Sequence, residues 1–130
     1  MNKDIAEKWA VLLESNEFAQ SSGKLRRTEG YCCLGVLCEL YRRETGQGMW
    51  VECEGDNTGM YDFQWLNNQR RTDVPATLLP PVVQAWAGMR DNAGSMAERS
   101  LNKTPLYRSN DDKVPFKQIA YIIRENVNCL

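Results

Sequence analysis

Paired basic residues and widely spaced tryptophans are the side chains in this sequence that suit a phosphorylated aromatic ligand. Arginine forks match phosphate oxygens in geometry and charge, and an aromatic ring offers a face on which a nucleobase stacks. Both groups also have a structural interpretation, because aromatic residues at alternating strand positions commonly pack in a core and paired arginines commonly lie on solvated surface. The residues that we predict to contact ligand are Lys24, Arg26, Arg27, Trp50, Trp65, Arg70, Arg71 and Arg108.

The sequence contains no histidine. This excludes His-based acid–base chemistry, Ser-His and Cys-His nucleophile pairs and the commonest zinc ligand sets. The acidic clusters at 52–56 and 110–112 lack the spacing of an EF-hand loop, and Asn and Asp are favoured in turns and caps. We interpret both clusters as structural, with Asn110-Asp111 as a turn that joins two segments. We therefore predict a protein that is not an enzyme, with no catalytic residue, no cofactor and no metal.

Five cysteines are an odd number, and three of them, Cys32, Cys33 and Cys38, lie in one apolar run. Successive residues of a helix are about 100° apart, so Cys32 and Cys38 point in different directions. They have neither a histidine partner nor a second Cys-x-x-Cys pair with which to bind zinc. We predict buried, inert thiols that pack as small hydrophobic side chains and stay reduced in a cytoplasm.

Length and composition are typical of one soluble domain that spans 1–130, since 42% of the residues are hydrophobic and 25% are charged. The formal net charge of −1 argues against binding to duplex nucleic acid, which usually requires a basic excess. No stretch reaches the roughly 18 apolar residues of a membrane span. The first residues carry scattered charges, unlike a signal peptide. The prediction is a cytoplasmic protein without membrane contact.

The nearly uncharged run at 30–41 must be covered on more than one side, which predicts a buried central helix. We expect this helix to run from about Tyr31 to Glu44 and to end at Gly46 in the left-handed conformation. Gly35 within it costs about 1 kcal/mol relative to alanine. That cost predicts close approach of another element, for which the first and last helices are the candidates.

Helices are predicted on either side of the central helix. The first covers 4–15, where Asp4 and Glu7 have the spacing of a capping box. The last begins near Phe116, and Pro115 suits its first position.

The hydrophobic period changes to two between Met49 and Leu66, which predicts a hairpin of two strands around a Gly-Asp-Asn turn. A short extended segment is expected at 24–27, ended by the residues at 28–30. A short helix is expected at 82–87, closed by Gly88. The predicted fold class is α+β: an N-terminal helix and a buried central helix packed with a small antiparallel hairpin or sheet and a C-terminal helix.

The run Tyr-Cys-Cys-Leu-Gly-Val-Leu-Cys at 31–38 is the most specific motif of the chain. Through this run and through positions spread over nearly the whole chain, the sequence resembles a family of small proteins common in bacteriophage genomes. The family usually shows Leu-Asn-Asp and a serine before the phenylalanine, where this chain has Ser109 and Pro115. The other positions that carry the resemblance are Trp9, Gln20, Gly23, Leu25, Leu79-Pro80-Pro81, Trp86-Ala87-Gly88, Asn110-Asp111, Phe116 and Ile119-Ala120.

The resemblance implies an accessory protein of a bacteriophage, which would act in the cytoplasm of the infected bacterial host. Small phage proteins of this kind often counter host defence, and the anti-CBASS and anti-Thoeris sponges are similar in size. Those sponges bind cyclic nucleotide or ADP-ribose-derived signals without cleaving them. The leading hypothesis is a homo-oligomeric sponge that sequesters a cyclic oligonucleotide immune signal. The alternatives are a protein–protein interaction inhibitor of a host defence or regulatory protein, and a carboxylate-dependent nuclease or phosphodiesterase.

Overall fold

Helices and one antiparallel sheet follow one another along the chain in the computed structural model, which describes residues 1–65 and 76–130. The predicted α+β class is confirmed. In the described residues the helices are α1 (Lys3–Glu14), α2 (Cys33–Thr45), α3 (Pro81–Ala87), α4 (Leu106–Asp111) and α5 (Phe116–Asn126). The strands in the same described residues are β1 (Arg26–Arg27), β2 (Gly30–Tyr31), β3 (Met49–Glu52) and β4 (Met60–Gln64).

Helix α1 begins earlier than predicted, and its N-cap is Asn2. The Asn2 side-chain oxygen accepts hydrogen bonds from the backbone N–H groups of Asp4 and Ile5, at 2.9 and 3.1 Å. The predicted capping box at Asp4 is therefore wrong, because a better-placed acceptor precedes it. The apolar face packs mainly against α5, and the fully buried Trp9 donates its indole N–H to the Cys33 carbonyl at 2.9 Å.

Helix α2 is the centre of the core, since every residue from Cys33 to Tyr41 is buried. It ends as predicted at Gly46, which has φ of 68°. It begins at Cys33 rather than Tyr31, because Gly30 and Tyr31 pair with β1 as strand β2. The Cys32 thiol accepts a hydrogen bond from the Gly35 N–H at 3.3 Å and so caps the helix.

Gly35 is a point at which another segment lies close against the backbone of α2. A Cβ atom placed there would lie 1.8 Å from the carbonyl oxygen of Leu25. The prediction of a close approach is confirmed. The approaching segment is the chain just before β1, however, and not the first or last helix.

The sheet has the strand order β2-β1-β4-β3, and every neighbouring pair is antiparallel. The predicted hairpin is confirmed as β3 and β4, with Trp50 opposite Phe63 and a 3-10 turn at Gly55–Asn57 between the strands. The residues at 28–30 do not end an isolated extended segment. They turn the chain so that Arg27 pairs with Gly30, and β1 then pairs with β4 on its other side.

The described residues at 76–130 contain two predicted helices and one that was missed. Helix α3 closes at Gly88, which has φ of 65°, as expected. Helix α5 buries Phe116, Ile119 and Ile123, although Pro115 is its N-cap and not its first residue. Helix α4 lies where the sequence analysis predicted a turn, because its six residues are too few to show a helical period.

Asn110 joins α4 to the N-terminal half, which confirms the predicted link between segments. Its side chain is almost fully buried, and its oxygen accepts from the Cys33 N–H at 3.0 Å and from the Gln20 amide at 3.2 Å. Its amide nitrogen donates to the Ser21 carbonyl at 2.8 Å. The link is made from the end of a helix rather than from a turn.

Among the described helices, none combines the length and the apolar character that crossing a membrane requires.

Candidate functional site

Two of the predicted ligand residues, Lys24 and Trp65, line one cavity beside strand β4. Its volume is about 470 Å³, which lies in the range of small-molecule sites. We call it the β4 cavity. Its polar lining residues are Lys24, Asp62, Thr77 and Asn92, and its other lining residues are Phe63, Trp65, Ala76, Leu78, Leu79, Pro80 and Pro81.

Hydrogen bonds to backbone carbonyl groups hold the walls of the β4 cavity together. The Leu25 N–H donates to the Ala76 carbonyl at 3.0 Å, which brings the chain before β1 next to the chain before α3. The Thr77 hydroxyl donates to the Gly23 carbonyl at 3.3 Å. The Leu79 N–H donates to the Asn92 carbonyl at 3.0 Å. These bonds bring the chain at 23–25, the chain at 76–79 and Asn92 together around the cavity, although they are far apart in the sequence.

Charge and burial differ sharply among the polar residues of this cavity. Asp62 is only 1% exposed, whereas Lys24 is half-buried and Asn92 is exposed. Trp65 is half-buried. The arrangement combines a buried carboxylate, a cation nearer the surface and an aromatic surface. Sequence reasoning missed Asp62, since a single aspartate on the polar side of an alternating strand carries no signal of burial.

Arg26 and Trp50 lie in a separate cluster on the sheet, where they contact each other. The Arg26 guanidinium carbon is 4.3 Å from the ring centroid of Tyr61, 5.1 Å from that of Tyr31 and 5.6 Å from that of Trp50. Trp50 meets Tyr31 and Phe63 edge to face, at centroid distances of 5.8 and 4.9 Å. The rings of Tyr31, Trp50 and Tyr61 therefore already contact a cation of the protein itself, the Arg26 guanidinium.

Glu39 lies beside this cluster and anchors it to α2. Its carboxylate accepts from Arg42 at 2.7 and 3.0 Å, from Trp50 at 3.1 Å and from Arg43 at 3.2 Å. Burial acts to raise the pKa of the Glu39 carboxyl, but the hydrogen bonds from Arg42, Trp50 and Arg43 outweigh it and hold that pKa below its usual value. The cavity there, of about 380 Å³, is lined by Arg42, which is paired with Glu39, and by Arg26, which lies over the aromatic rings.

Two further predicted ligand residues, Arg27 and Arg108, line neither of these cavities. The Arg27 side chain donates to the Ser22 carbonyl at 2.8 Å. Arg108, on α4, is exposed and lies 3.7 Å from the Asp112 carboxylate. The predictions for Arg70 and Arg71 fall outside the described residues. The structure thus brings Lys24 together with Trp65 and Arg26 together with Trp50, in two different places.

The five cysteines are free thiols, and four of them are buried; the predicted burial of Cys32, Cys33 and Cys38 is confirmed. Burial raises the pKa of Cys32 to about 12 and raises the pKa values of Cys33 and Cys38 well above the usual thiol value. These thiols stay protonated and unreactive near neutral pH. Across residues 1–65 and 76–130, no group of three or more Cys, Asp or Glu side chains is placed to hold a metal ion.

The fold and the β4 cavity define a small α+β protein with a ligand-sized cavity at the side of its sheet. The chain belongs to the family described as Domain of unknown function (DUF8296), whose model matches residues 1–127. Comparisons with curated proteins and with solved structures returned no match.

Proposed function

We propose that this protein binds a cyclic oligonucleotide signal in the β4 cavity and sequesters it without cleaving it. The observation that carries the proposal is the convergence of Lys24 and Trp65 on one cavity of about 470 Å³. Lysine is a common phosphate ligand, and a tryptophan face stacks with any nucleobase. The resemblance to small phage proteins supports a role in counteracting the defence of the infected host.

Binding without cleavage is supported by the side chains available. The chain has no histidine, which is the residue that most often serves as a general base near neutral pH. Three of the five thiols have raised pKa values, which makes them poor nucleophiles. A protein that holds the signal intact lowers its free concentration by mass action alone.

The size of the cavity favours a homo-oligomeric sponge. A volume of about 470 Å³ suits one nucleotide unit rather than a whole cyclic dinucleotide. A cyclic dinucleotide with two identical bases has two-fold symmetry, and two-fold symmetry is the commonest symmetry of protein dimers. Two copies of the chain would then each take one base.

Isothermal titration calorimetry against cyclic di- and trinucleotides tests the proposal. We expect binding by the wild type, and a loss of roughly 5- to 150-fold in affinity for Trp65→Leu, since stacking contributes about 1–3 kcal/mol per base. Lys24→Met should also weaken binding, whereas Lys3→Met, which removes an exposed cation on α1, should not. Mass spectrometry of the recovered ligand should show it intact. Absence of binding to every cyclic nucleotide at micromolar protein would exclude the proposal.

A second candidate function is inhibition of a host protein through the groove between α1 and α2. This groove has a volume of about 370 Å³ and is lined by Glu7, Lys8, Val11, Leu12, Leu40, Arg43 and Glu44. Val11 is 51% exposed within it, which is high for an aliphatic side chain. Capture of one stoichiometric host protein that is lost in Val11→Gln but kept in Tyr121→Gln, an exposed control on α5, would favour this candidate over the sponge.

A further inference from the structure

A second cavity lies beside strand β3 and shares no described lining residue with the β4 cavity. Its volume of about 380 Å³ is in the range of small-molecule sites, and we call it the Arg26 cavity. Two arginines, Arg26 and Arg42, line it together with Glu39. Its other lining residues are Tyr31, Gly48, Met49 and Trp50. The cavity therefore combines guanidinium groups with aromatic and apolar surface.

The Arg26 guanidinium contacts rings but meets no hydrogen-bond acceptor among the described residues. Strand β1 pairs Arg26 with Tyr31 on one side and with Tyr61 on the other, which holds the side chain between two rings. A ring face attracts a cation, but it does not accept the conventional hydrogen bonds that the five N–H groups of a guanidinium can donate. Within residues 1–65 and 76–130, no carboxylate forms an ion pair with this half-buried cation either. Its donors therefore remain available to an oxyanion.

The charges around the Arg26 cavity leave one positive charge in excess. The Glu39 carboxylate is shared by Arg42 and Arg43, and Arg43 also pairs with Glu17. Together with Arg26, three arginines thus face two glutamates. Arg42 uses its Nε and one terminal nitrogen on Glu39, which leaves it further donors. A singly charged anion would neutralise the excess, whereas a second negative charge on the ligand would be repelled by Glu39.

We infer that the Arg26 cavity binds a singly charged oxyanion, the carboxylate of a small organic acid or a phosphodiester, through Arg26 and Arg42. The guanidinium fork matches the paired oxygens of both groups. Met49, which is 59% exposed, and the half-buried Trp50 offer apolar surface to the organic part of the ligand. The inference is independent of the proposed function, because the two cavities are lined by different residues.

NMR titration of the wild-type protein with benzoate and with dimethyl phosphate tests the inference, with sodium chloride added to hold the ionic strength constant. We expect saturable shifts of the Arg26 and Arg42 Nε–H signals and of the Trp50 indole N–H. The indole signal of the fully buried Trp9 should stay unchanged. Saturation by benzoate alone would identify a carboxylate site, and saturation by dimethyl phosphate alone a phosphodiester site. No saturation by either across the millimolar range would overturn the inference and leave the β4 cavity proposal standing.

Variants at Arg26 separate its donors from the general charge of the protein. Arg26→Gln should weaken binding by roughly 10- to 150-fold, since it removes charge-assisted hydrogen bonds. Arg26→Lys keeps a cation near the rings but loses the fork, so a smaller loss is expected. Arg90→Gln removes an exposed arginine outside both cavities and should keep the wild-type affinity.

Equal losses in Arg26→Gln and Arg90→Gln, or no loss in either, would overturn the role of Arg26. Thermal unfolding identifies a variant that misfolds. If Arg26→Gln does so, Arg26→Lys and the wild-type titration decide, because Arg26→Lys retains the cation that the rings of Tyr31 and Tyr61 contact.

Discussion

Gly35 tests how tightly α2 packs on the segment before β1. In an exposed helix, Gly→Ala stabilises by about 1 kcal/mol, but here the added Cβ would lie 1.8 Å from the Leu25 carbonyl oxygen. The added Cβ is bonded to the backbone of α2, and the oxygen belongs to the backbone of Leu25. The two atoms can separate only if one of these backbone segments shifts. We expect Gly35→Ala to lower the free energy of unfolding by about 3 kcal/mol or more, measured by urea denaturation.

Gly46→Ala is the control. Its added Cβ meets no atom within 4 Å and carries only the strain of φ at 68°, so the free energy of unfolding should fall by about 1 kcal/mol. Similar losses for the two variants would contradict the close contact.

Asn110 is the second residue on which the fold depends. Its side chain supplies one of the hydrogen bonds at the start of α2 and two that hold the chain at 20–21. Asn110→Ala would leave the buried Cys33 N–H without that acceptor, at an expected cost of about 3 kcal/mol in the free energy of unfolding. The exposed Asn128→Ala is the matched control and should change stability by less than about 0.5 kcal/mol. An Asn110→Ala protein as stable as the control would show that water replaces these bonds.

At the scale of elements, α1 and α5 are joined by an ion cluster that predicts a pH dependence. Arg124 donates to Glu7 at 2.9 Å and lies 2.6 Å from Glu14. The hydrogen bonds from Arg124 lower the pKa of each carboxyl from its usual 4.5. A lowered pKa in the folded state means that the stabilisation is complete above the unfolded pKa and is lost as the pH falls through the folded one.

Arg124→Gln should therefore flatten the dependence of the unfolding midpoint on pH below about 4.5. The effect should be small and should shrink with added salt, because both carboxylates are exposed to solvent. Arg108→Gln, which removes a longer pair with Asp112, should retain the wild-type profile. Equal acid sensitivity in Arg124→Gln and wild type would show that other carboxylates dominate.

Sequence periodicity predicted the elements that bury a regular stripe of side chains. Helices α1, α2 and α5 and the β3–β4 hairpin were found because their apolar residues recur at helical or strand spacing. Strand β2 and helix α4 were missed, since two and six residues are too few to show a strand or helical period. The predicted start of α2, at Tyr31, was too early, because Tyr31 belongs to strand β2 and the helix begins at Cys33. Pairing of Tyr31 with Arg26 overrides a run whose composition favours helix.

At the scale of the whole molecule, the residue types of the candidate site were predictable but their grouping was not. Lys24 and Trp65 lie on one cavity because β1 pairs with β4 and because Leu25 bonds to Ala76. The same pairing places Arg26 over Tyr61, so a cation predicted for ligand stacks on the protein's own ring. Such outcomes depend on strand order, which short-range patterns do not encode.

The stoichiometry of the complex is the prediction that tests the molecule as a whole. If one β4 cavity takes one base, a cyclic dinucleotide should join two chains, whereas GMP should bind without changing the number of subunits. Native mass spectrometry with cyclic di-GMP should then show two chains with one ligand, and the same experiment with GMP should show one ligand per chain. Trp65→Leu should lose both complexes, because each depends on the same stacking surface. One cyclic dinucleotide bound per single chain would contradict the shared site and would require a larger binding surface on each copy than the β4 cavity alone.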